Sequence, residues 1–482
     1  MSHCRHKPTN LNTLSFALLR RVGYSRKART ALRSLTIIQL LAALALLIIP
    51  ANLSAQSKRQ VILISIDGMT PDEYIHPDEH HLAIPNLRAM AAAGCASPGM
   101  LGVFPSSTYP SHTSMVTGVP PAIHGIVSNT PIDPFNLESG GWYYYAEQIK
   151  VPTLYQIVRN SGIKTAAVSW PVTVGADINY LIPEYRPIRT PEDLALVHAL
   201  STKGLMQEFE QTSKTTEPPL SDAWRTEAAM YILRTRKPGL LLLHLSGLDE
   251  EQHKYGPHTP ETHAELERLD AMIGKLRQQV EQSGNAANTS WLIVSDHGFL
   301  PYSKQFNPLV ALRNAGLIDA DDNGKVRSWK VYARNSTGSF VLEAKDKSDT
   351  ASIAKATALM QQLAADPANG IARLYTVEDL HDLGASPDAF LGAEAARGFG
   401  FGASLTGPLL NTPTNKGTHG YNPSIREMHP SFILYGAGIT PCKSLPDVKI
   451  FDVGPTAAAL LGVSMTGTQG TVVDYIQTSS PK

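Results

Sequence analysis

Seven side chains, spread over most of the chain, are of the chemical types that bind divalent cations or act as nucleophiles. They are three aspartates, three histidines and one threonine, namely Asp67, Thr108, Asp249, His253, Asp296, His297 and His419. Carboxylates and imidazoles in this number suffice for two ions of the zinc type, whereas an all-oxygen site would indicate Mg²⁺. The sequence therefore predicts a two-metal site, provided that the fold brings these residues together.

Each of the three aspartates closely follows a run of apolar residues. The runs and their acids are 61–66 with Asp67, 240–245 with Asp249, and 291–295 with Asp296. Such runs are typical of strands buried in a parallel sheet, and open α/β sheets bind their ligands beyond the carboxyl ends of strands. We therefore expect three carboxylates to lie at one edge of a sheet.

Thr108 lies in a segment, residues 104–112, that is rich in hydroxyl side chains and prolines, and a helix-like stretch follows at 113–117. A hydroxyl at the N-terminus of a helix lies where backbone N–H groups and the helix dipole favour an anion. A nearby cation would lower the pKa of the hydroxyl and make it a nucleophile. The alternative is an ordinary helix N-cap, which is the commoner role of such a residue.

The histidines have spacings that suit metal ligands. Asp249 and His253 are four residues apart, so they share one face if a helix follows the preceding strand. Asp296 and His297 directly follow a buried strand, which is costly unless they are paired or bind a metal. His419 has glycines two residues before it and one residue after it, which permits close backbone approach. Taken singly, each position also fits a hydrogen-bonded pair or a solvated side chain.

Strand-like and helix-like segments alternate along the chain. The predicted strands are 61–66, 164–169, 240–245, 291–295 and 431–435, and the predicted helices are 85–93, 153–161, 260–282 and 452–461. This alternation predicts an α/β fold, a three-layer α/β/α sandwich with a mostly parallel central sheet. Residues 300–410 are less regular in pattern, so we expect a small inserted subdomain or lid there, within one catalytic domain at 56–482.

Residues 1–55 predict a secretion signal or an N-terminal anchor. They hold eight Lys and Arg residues and no acid, and an apolar segment at 35–50 precedes small residues near Ala55. This order is typical of a secretory signal, and residues 35–50 are short for a spanning helix. We expect an exported protein, periplasmic or extracellular, whose N-terminal segment is either cleaved or retained as an anchor. In that setting Cys95 and Cys442 either pair or remain free.

Short motifs in this chain resemble those of the alkaline phosphatase superfamily and, within it, the nucleotide pyrophosphatase/phosphodiesterase family. In chain order the matching pieces are Ile64-Ser65-Ile66-Asp67-Gly68, Thr108-Tyr109-Pro110-Ser111-His112, Thr117-Gly118, His124-Gly125-Ile126, Asp249 with His253 and Gly256-Pro257, Ser295-Asp296-His297-Gly298, and Gly417-Thr418-His419-Gly420. They cover about residues 60–430 and are specific as a set, although each is weak alone. The resemblance implies an alkaline phosphatase-like fold.

The resemblance also implies two zinc ions per chain. One would be held by Asp249, His253 and His419, and the other by Asp67, Asp296 and His297, with the Thr108 oxygen as a further ligand. Thr108 would attack the phosphoryl group and form a phospho-threonine intermediate. Asn129 stands where family members have an asparagine that hydrogen-bonds a phosphoryl oxygen, although a turn residue is the alternative.

The preferred substrate is a small phosphodiester or nucleotide, pyrophosphate bonds included. Residues 169–175 resemble the Trp-Pro stretch of the diesterases and lack the Lys-x-Arg of related monoesterases. Trp142 and the tyrosines at 143–145 either stack on a base or pack a loop. Two positions depart from the family pattern, since Ser111 stands where Asn is frequent and Leu248 stands where Pro is frequent.

Other classes remain as alternatives. A phosphomonoesterase on the same fold is the first, and a non-catalytic protein stabilised by metal is another. A sulfatase needs a Cys/Ser-x-Pro-x-Arg stretch, and the segment around Thr108 has none. Beyond residue 55 the chain holds 34 basic and 42 acidic residues, and this balance argues against binding of duplex nucleic acid.

Overall fold

The computed structural model describes residues 59–137, 141–185 and 189–476. The predicted secretion signal or anchor at 1–55, with its apolar segment at 35–50, lies outside the described residues. Across the described ranges, no helix is both long enough and apolar enough to cross a membrane. Export of the chain therefore stays a prediction.

Seventeen strands are present in the described ranges. In chain order they are β1 (Gln60–Ile66), β2 (Cys95–Ala96), β3 (Thr165–Val168), β4 (Tyr180–Ile182), β5 (Leu240–Leu245), β6 (Thr289–Val294), β7 (Leu300–Phe306), β8 (Ile318–Ala320), β9 (Val326–Trp329), β10 (Val331–Asn335), β11 (Ser339–Ala344), β12 (Ile371–Tyr375), β13 (Ala389–Ala395), β14 (Gly398–Phe401), β15 (Leu410–Asn411), β16 (Gly417–Thr418) and β17 (Phe432–Gly436).

Fourteen α-helices lie in the same ranges, and most of them pack against the two faces of the main sheet. They are α1 (Pro71–Ile75), α2 (Pro85–Ala93), α3 (Thr108–Thr117), α4 (Pro121–His124), α5 (Leu154–Asn160), α6 (Pro191–Leu200), α7 (Leu205–Thr212), α8 (Asp222–Arg236), α9 (Gly247–Tyr255), α10 (Pro260–Gln282), α11 (Pro308–Asn314), α12 (Thr350–Ala364), α13 (Val377–Asp382) and α14 (Val453–Leu460). Helices α2 and α10 have the bounds that the sequence predicts.

The main sheet has seven strands in the order β2-β17-β6-β1-β5-β3-β4. Strand β1 lies at its centre and pairs in parallel with β5 and β6. Strand β17 matches the predicted strand at 431–435, but it runs antiparallel to both of its neighbours. The prediction of an α/β fold with a mostly parallel central sheet is therefore confirmed.

Both faces of the main sheet are buried, which explains why its strands read as continuous apolar runs. On β1, Ile62 and Ile64 belong to a core that α2, α8 and α10 cover. Val61 and Leu63 belong to a second core, under α3, α5 and α14. Alternate residues of one strand thus anchor helices on opposite faces, and this fixes the three layers around the strand ends.

Residues 300–411 are more regular than the sequence indicates. They contain the antiparallel sheet β10-β11-β13-β12, the smaller sheet β14-β7-β15 and the pair β8-β9, over a separate core. In β7, buried Leu300, Tyr302 and Phe306 are interspersed with exposed residues. Such half-buried strands are harder to detect than buried apolar runs. A role of this region as a lid stays a prediction.

Cys95 and Cys442 form a disulfide across a sequence separation of 347 residues. It joins β2, at the edge of the main sheet, to the segment that follows β17. The sequence left this pairing open, because spacing alone does not show which cysteines approach each other.

Replacement of Cys442 by serine should lower thermal stability, because the disulfide restricts the unfolded chain. Loss of a native disulfide costs about 2–5 kcal/mol, which corresponds to a fall in Tm of about 2–5 °C for a chain of this size. Differential scanning calorimetry without reductant measures this difference. Reductant should lower the Tm of the wild type and leave that of Cys442→Ser unchanged. Equal Tm values for the two proteins without reductant would contradict the prediction.

Candidate active site

The strand ends bring the predicted acids together at one edge of the main sheet. Because β1 pairs in register with both neighbours, Ile66 lies opposite Leu245 on β5, and Ser65 lies opposite Val294 on β6. The residues that follow these strands must therefore meet. The backbone N–H of Gly68 donates a hydrogen bond to Asp296 Oδ1 at 3.1 Å, which joins the ends of β1 and β6 directly.

The first cluster consists of Asp67, Asp296 and His297. His297 Nε2 lies 3.4 Å from Asp67 Oδ1 and 3.2 Å from Asp296 Oδ2. All three residues are buried, and their candidate ligand atoms lie within 4.8 Å of one another. Asp296 Oδ2 is shielded from solvent and has no hydrogen-bond partner among the described residues. A buried carboxylate oxygen in this condition is a suitable ligand for a cation.

The second cluster consists of Asp249, His253 and His419. Helix α9 carries the first two on one face, as their spacing predicts, and Asp249 Oδ1 lies 3.5 Å from His253 Nε2 and 3.7 Å from His419 Nε2. The His419 ring stacks on the His297 ring at 3.7 Å, so the clusters adjoin. The candidate ligand atoms of Asp249, His297 and His419 lie within 4.8 Å of one another, and His253 is not part of this group. The division of ligands between two ions stays a prediction.

The three imidazoles all present Nε2 to the site because Nδ1 is engaged elsewhere. Nδ1 lies 3.0 Å from the Gly417 carbonyl in His253, 2.9 Å from the Ser106 carbonyl in His419, and 3.3 Å from the Gly298 carbonyl in His297. A carbonyl only accepts, so Nδ1 carries the proton and the Nε2 lone pair is free. Backbone carbonyls commonly orient metal-binding histidines in this way.

Thr108 is the first residue of α3, rather than the residue before it, and Ser107 occupies the cap position. The Thr108 hydroxyl lies 3.4 Å from His297 Nε2, to which it donates, since that nitrogen lacks a proton. The Thr108 carbonyl accepts from His112 Nδ1 at 2.8 Å. The N-cap alternative is therefore wrong for Thr108, whose hydroxyl faces the first cluster.

Asn129 lies beside the same helix start. Its side-chain oxygen accepts from the backbone N–H of Tyr109 at 2.9 Å, so its NH₂ group is the part that remains to donate. Arg334 on β10 holds this loop, since it donates to Ser128 Oγ at 3.2 Å and to the Thr130 carbonyl at 3.3 Å. No local pattern in the sequence indicated this role for Arg334, because its partners lie about 200 residues away along the chain.

His244 is a further residue that the sequence analysis missed. It is fully buried on β5, and its Nε2 lies 3.1 Å from Asp67 Oδ2 while its Nδ1 lies 3.1 Å from the Ser169 carbonyl. It therefore orients Asp67 from behind the cluster. Its presence within an otherwise apolar strand was the available signal, because a buried imidazole requires a polar partner.

Burial opposes charge on both kinds of ligand. It raises the pKa of Asp296 well above its ordinary value, and the nearby charge of Asp67 raises it further. Burial also lowers the pKa of His297 well below its ordinary value and lowers that of His419 to about 4. Neutral imidazoles beside two crowded carboxylates form a donor set that a divalent cation would stabilise. These residues fit zinc, which takes nitrogen and carboxylate ligands.

This fold and this convergence of ligands define a member of the alkaline phosphatase superfamily. A sequence profile described as type I phosphodiesterase / nucleotide pyrophosphatase matches residues 61–422, and the chain belongs to that family. The resemblance drawn from the motifs is thereby confirmed.

Three known proteins show the degree of similarity. Human ectonucleotide pyrophosphatase/phosphodiesterase family member 1 is 26% identical over 249 residues, 49% of this chain and 23% of that protein. The bis(5'-adenosyl)-triphosphatase ENPP4 of Pongo abelii is 24% identical over 429 residues, 86% of this chain and 80% of that protein. Murine ectonucleotide pyrophosphatase/phosphodiesterase 5, solved as an inactive variant in complex with AMP, superposes with a TM-score of 0.62 at 19% identity, covering 86% of this chain and 97% of that chain. This chain thus spans only a minor part of the human relative.

Replacement of His244 by glutamine should weaken zinc binding by about 10–100-fold, because Asp67 loses the partner that orients it. Isothermal titration calorimetry of metal-depleted protein with Zn²⁺ measures this effect. His124→Gln is the matched control, since His124 is equally buried but lies 2.9 Å from Ser114 Oγ. Unchanged zinc affinity in a folded His244→Gln protein would show that His244 does not position Asp67.

Proposed function

We propose that this chain hydrolyses phosphodiester bonds, including the pyrophosphate bonds of nucleotides, at a two-zinc site and through a phospho-threonine intermediate. The observation that carries the proposal is the position of Thr108. Its hydroxyl stands at the N-terminus of α3, donates to His297, and borders a cluster of carboxylates and imidazoles. A nucleophile and metal ligands thus lie within reach of one phosphoryl group.

The chain's own residues account for both halves of the reaction. In the first half, Thr108 Oγ forms a bond to phosphorus while the bond to the leaving oxygen breaks, and the hydroxyl proton passes through solvent to the leaving oxygen. In the second half, water attacks the phospho-threonine, the bond from Oγ to phosphorus breaks, and Thr108 regains a proton. Zinc bound by the two clusters would supply Lewis acidity for the charge on the attacking, leaving and non-bridging oxygens.

Asn129 and helix α3 bind the phosphoryl oxygens in this proposal. The Asn129 NH₂ group is available to donate, because the side-chain oxygen is engaged by the Tyr109 backbone N–H. The N-terminus of α3 carries partial positive charge, which favours the phosphoryl group beside Thr108. Neither group titrates near neutral pH, so their contribution is positioning and fixed electrostatic stabilisation.

The diester preference rests on charge. A phosphomonoester dianion carries one more negative charge than a diester. Residues 169–175, which follow β3, contain no Lys or Arg that could neutralise this charge. The fully buried Trp170 packs edge-on against His112 at 4.9 Å, so this segment presents an apolar residue behind the site. The monoesterase is the alternative that a substrate panel would reveal.

A nucleotide is the favoured substrate class. The similar proteins include a bis(5'-adenosyl)-triphosphatase, and the murine structure holds AMP. In this chain the Trp142 ring lies 5.1 Å from that of Tyr109, next to the nucleophile, and is only half-buried. Tyr144 is buried and packs the loop instead. Trp142 is therefore the aromatic side chain that we propose for contact with a base.

Export to the periplasm or the extracellular space forms part of the proposal. The basic and apolar order of residues 1–55 supports it. The disulfide between Cys95 and Cys442 supports it independently, because disulfides persist mainly in oxidising compartments.

Replacement of Thr108 by alanine should lower kcat/KM for bis-p-nitrophenyl phosphate by about 10³-fold or more, because the attacking oxygen is lost. Thr108→Ser retains the hydroxyl and is the matched control, with activity within about tenfold of wild type. Zinc content, measured by plasma mass spectrometry, should stay largely intact in both variants. Turnover by Thr108→Ala at the wild-type rate would refute the nucleophile.

Parallel assays should show faster hydrolysis of bis-p-nitrophenyl phosphate than of p-nitrophenyl phosphate. We expect a ratio in kcat/KM of about 10–100, since one unpaired phosphate charge costs about 1–3 kcal/mol in a buried site. A large ratio in favour of the monoester would establish the monoesterase. Absence of turnover on either ester by the zinc-loaded protein would instead support a non-catalytic metal-stabilised protein.

A further inference from the structure

A second group of metal-ligand side chains lies outside the candidate active site. His80, His258 and His263 offer ligand nitrogens within 4.8 Å of one another, and none of them belongs to the two clusters described above. We name this group the tri-histidine cluster. We propose that it binds one zinc-type divalent cation, which joins the segment after α1 to the N-terminus of α10.

The rings of the tri-histidine cluster already lie together. His80 and His258 stack with centroids 4.8 Å apart and planes 10° from parallel, and His263 meets the His80 ring edge-on at 6.0 Å. Zinc bonds to imidazole nitrogen at about 2.0–2.1 Å, so the three nitrogens need to close by about an ångström to share one ion. His258 is solvent-exposed and the other two rings are partly exposed, so rotation of the side chains provides this movement.

Asp72 on α1 prepares His80 as a ligand. His80 Nε2 lies 2.6 Å from Asp72 Oδ2, and this carboxylate accepts the Nε2 proton. The lone pair of His80 therefore lies on Nδ1. Carboxylates that bind the second nitrogen of a histidine are the common support of zinc ligands, because they fix both the tautomer and the ring orientation.

His263 supplies an independent indication. Its Nε2 is shielded from solvent and has no hydrogen-bond partner among the described residues. A buried ring nitrogen without a partner costs free energy unless a ligand uses it. Imidazoles in this number favour zinc and its neighbours Ni²⁺ and Cu²⁺ over Mg²⁺ or Ca²⁺.

The backbone around the tri-histidine cluster is held in place by other contacts. His263, Glu267 and Asp270 share one face of α10 at spacings of four and seven residues. Glu267 accepts from the Ala83 backbone N–H at 2.8 Å, and Asp270 accepts from that of Leu87 at 2.7 Å. The His80 segment therefore meets α10 whether or not an ion is bound, so the ligands are arranged before binding.

The ion would brace two segments that leave the candidate active site. The His80 segment follows Asp67 by thirteen residues, and His258 follows His253 by five. A cation that joins them restricts both connections without contact with substrate. Its expected effect is on zinc content and thermal stability, while the reaction at Thr108 proceeds as before.

Removal of two ligands tests the proposal. His258 has a φ of 59°, which asparagine tolerates, so the variant is His258→Asn combined with His263→Gln. After metal depletion and dialysis against micromolar Zn²⁺, plasma mass spectrometry should find one zinc fewer per chain than in wild type. This difference does not depend on how many ions the candidate active site binds, so the failure of either proposal is recognisable separately.

A matched pair of exposed histidines provides the control. His76→Gln combined with His381→Gln removes as many imidazoles from the surface and should leave the zinc content unchanged. Saturating zinc should raise the Tm of wild type by about 3 °C more than that of the His258/His263 variant. Asp72→Asn, which keeps all three rings, should weaken the same ion by about 10–100-fold. Equal zinc content in wild type and the His258/His263 variant, or loss of zinc in the control pair, would overturn the proposal.

Discussion

The parallel pairing of β1 with β5 and β6 is the constraint on which the candidate active site depends. In a parallel sheet the carboxyl ends of neighbouring strands lie at the same edge, so the residues after each strand meet without further arrangement. Asp67 follows β1 directly, Asp296 is the second residue after β6, and α9 presents Asp249 one turn after β5. A change of register by one residue in β1 would exchange the residues that face the two cores, so core packing also fixes the position of the acids.

The same burial that fixes the ligands makes them unfavourable as charged groups. Asp67 and Asp296 stand side by side at the end of the central strands, and burial lowers the pKa of the neighbouring His297 well below its ordinary value. Burial of a carboxylate or an imidazole costs free energy unless each of its polar atoms has a partner. Backbone carbonyls satisfy one nitrogen of each histidine, and His244 satisfies one oxygen of Asp67. Asp296 Oδ2 remains without a hydrogen-bond partner among the described residues.

The sequence predicted the buried strands, the long helices and the seven side chains because each carries a local signal, such as an apolar run or a fixed spacing. It did not predict His244 or Arg334 as positioning residues, since their partners lie far away in sequence and only the tertiary fold joins them. The small sheets within residues 300–411 were missed because half-buried strands give weak periodicity. No spacing rule would associate His80 with His258 either, because only the tertiary fold brings them together.

His419 lies between the small sheets of residues 300–411 and the segment that precedes α3. Its carbonyl accepts from the Gly338 N–H at 2.9 Å, while the next N–H, that of Gly420, donates to the Ser106 carbonyl at 2.9 Å. A side chain at residue 420 would lie 1.7 Å from the Ser336 carbonyl oxygen. The small sheets of residues 300–411 are therefore tied to the backbone on both sides of His419 and are not an exchangeable module. A chimera that carried the corresponding segment of a relative would need to retain this backbone contact, or it would displace His419 from the candidate active site.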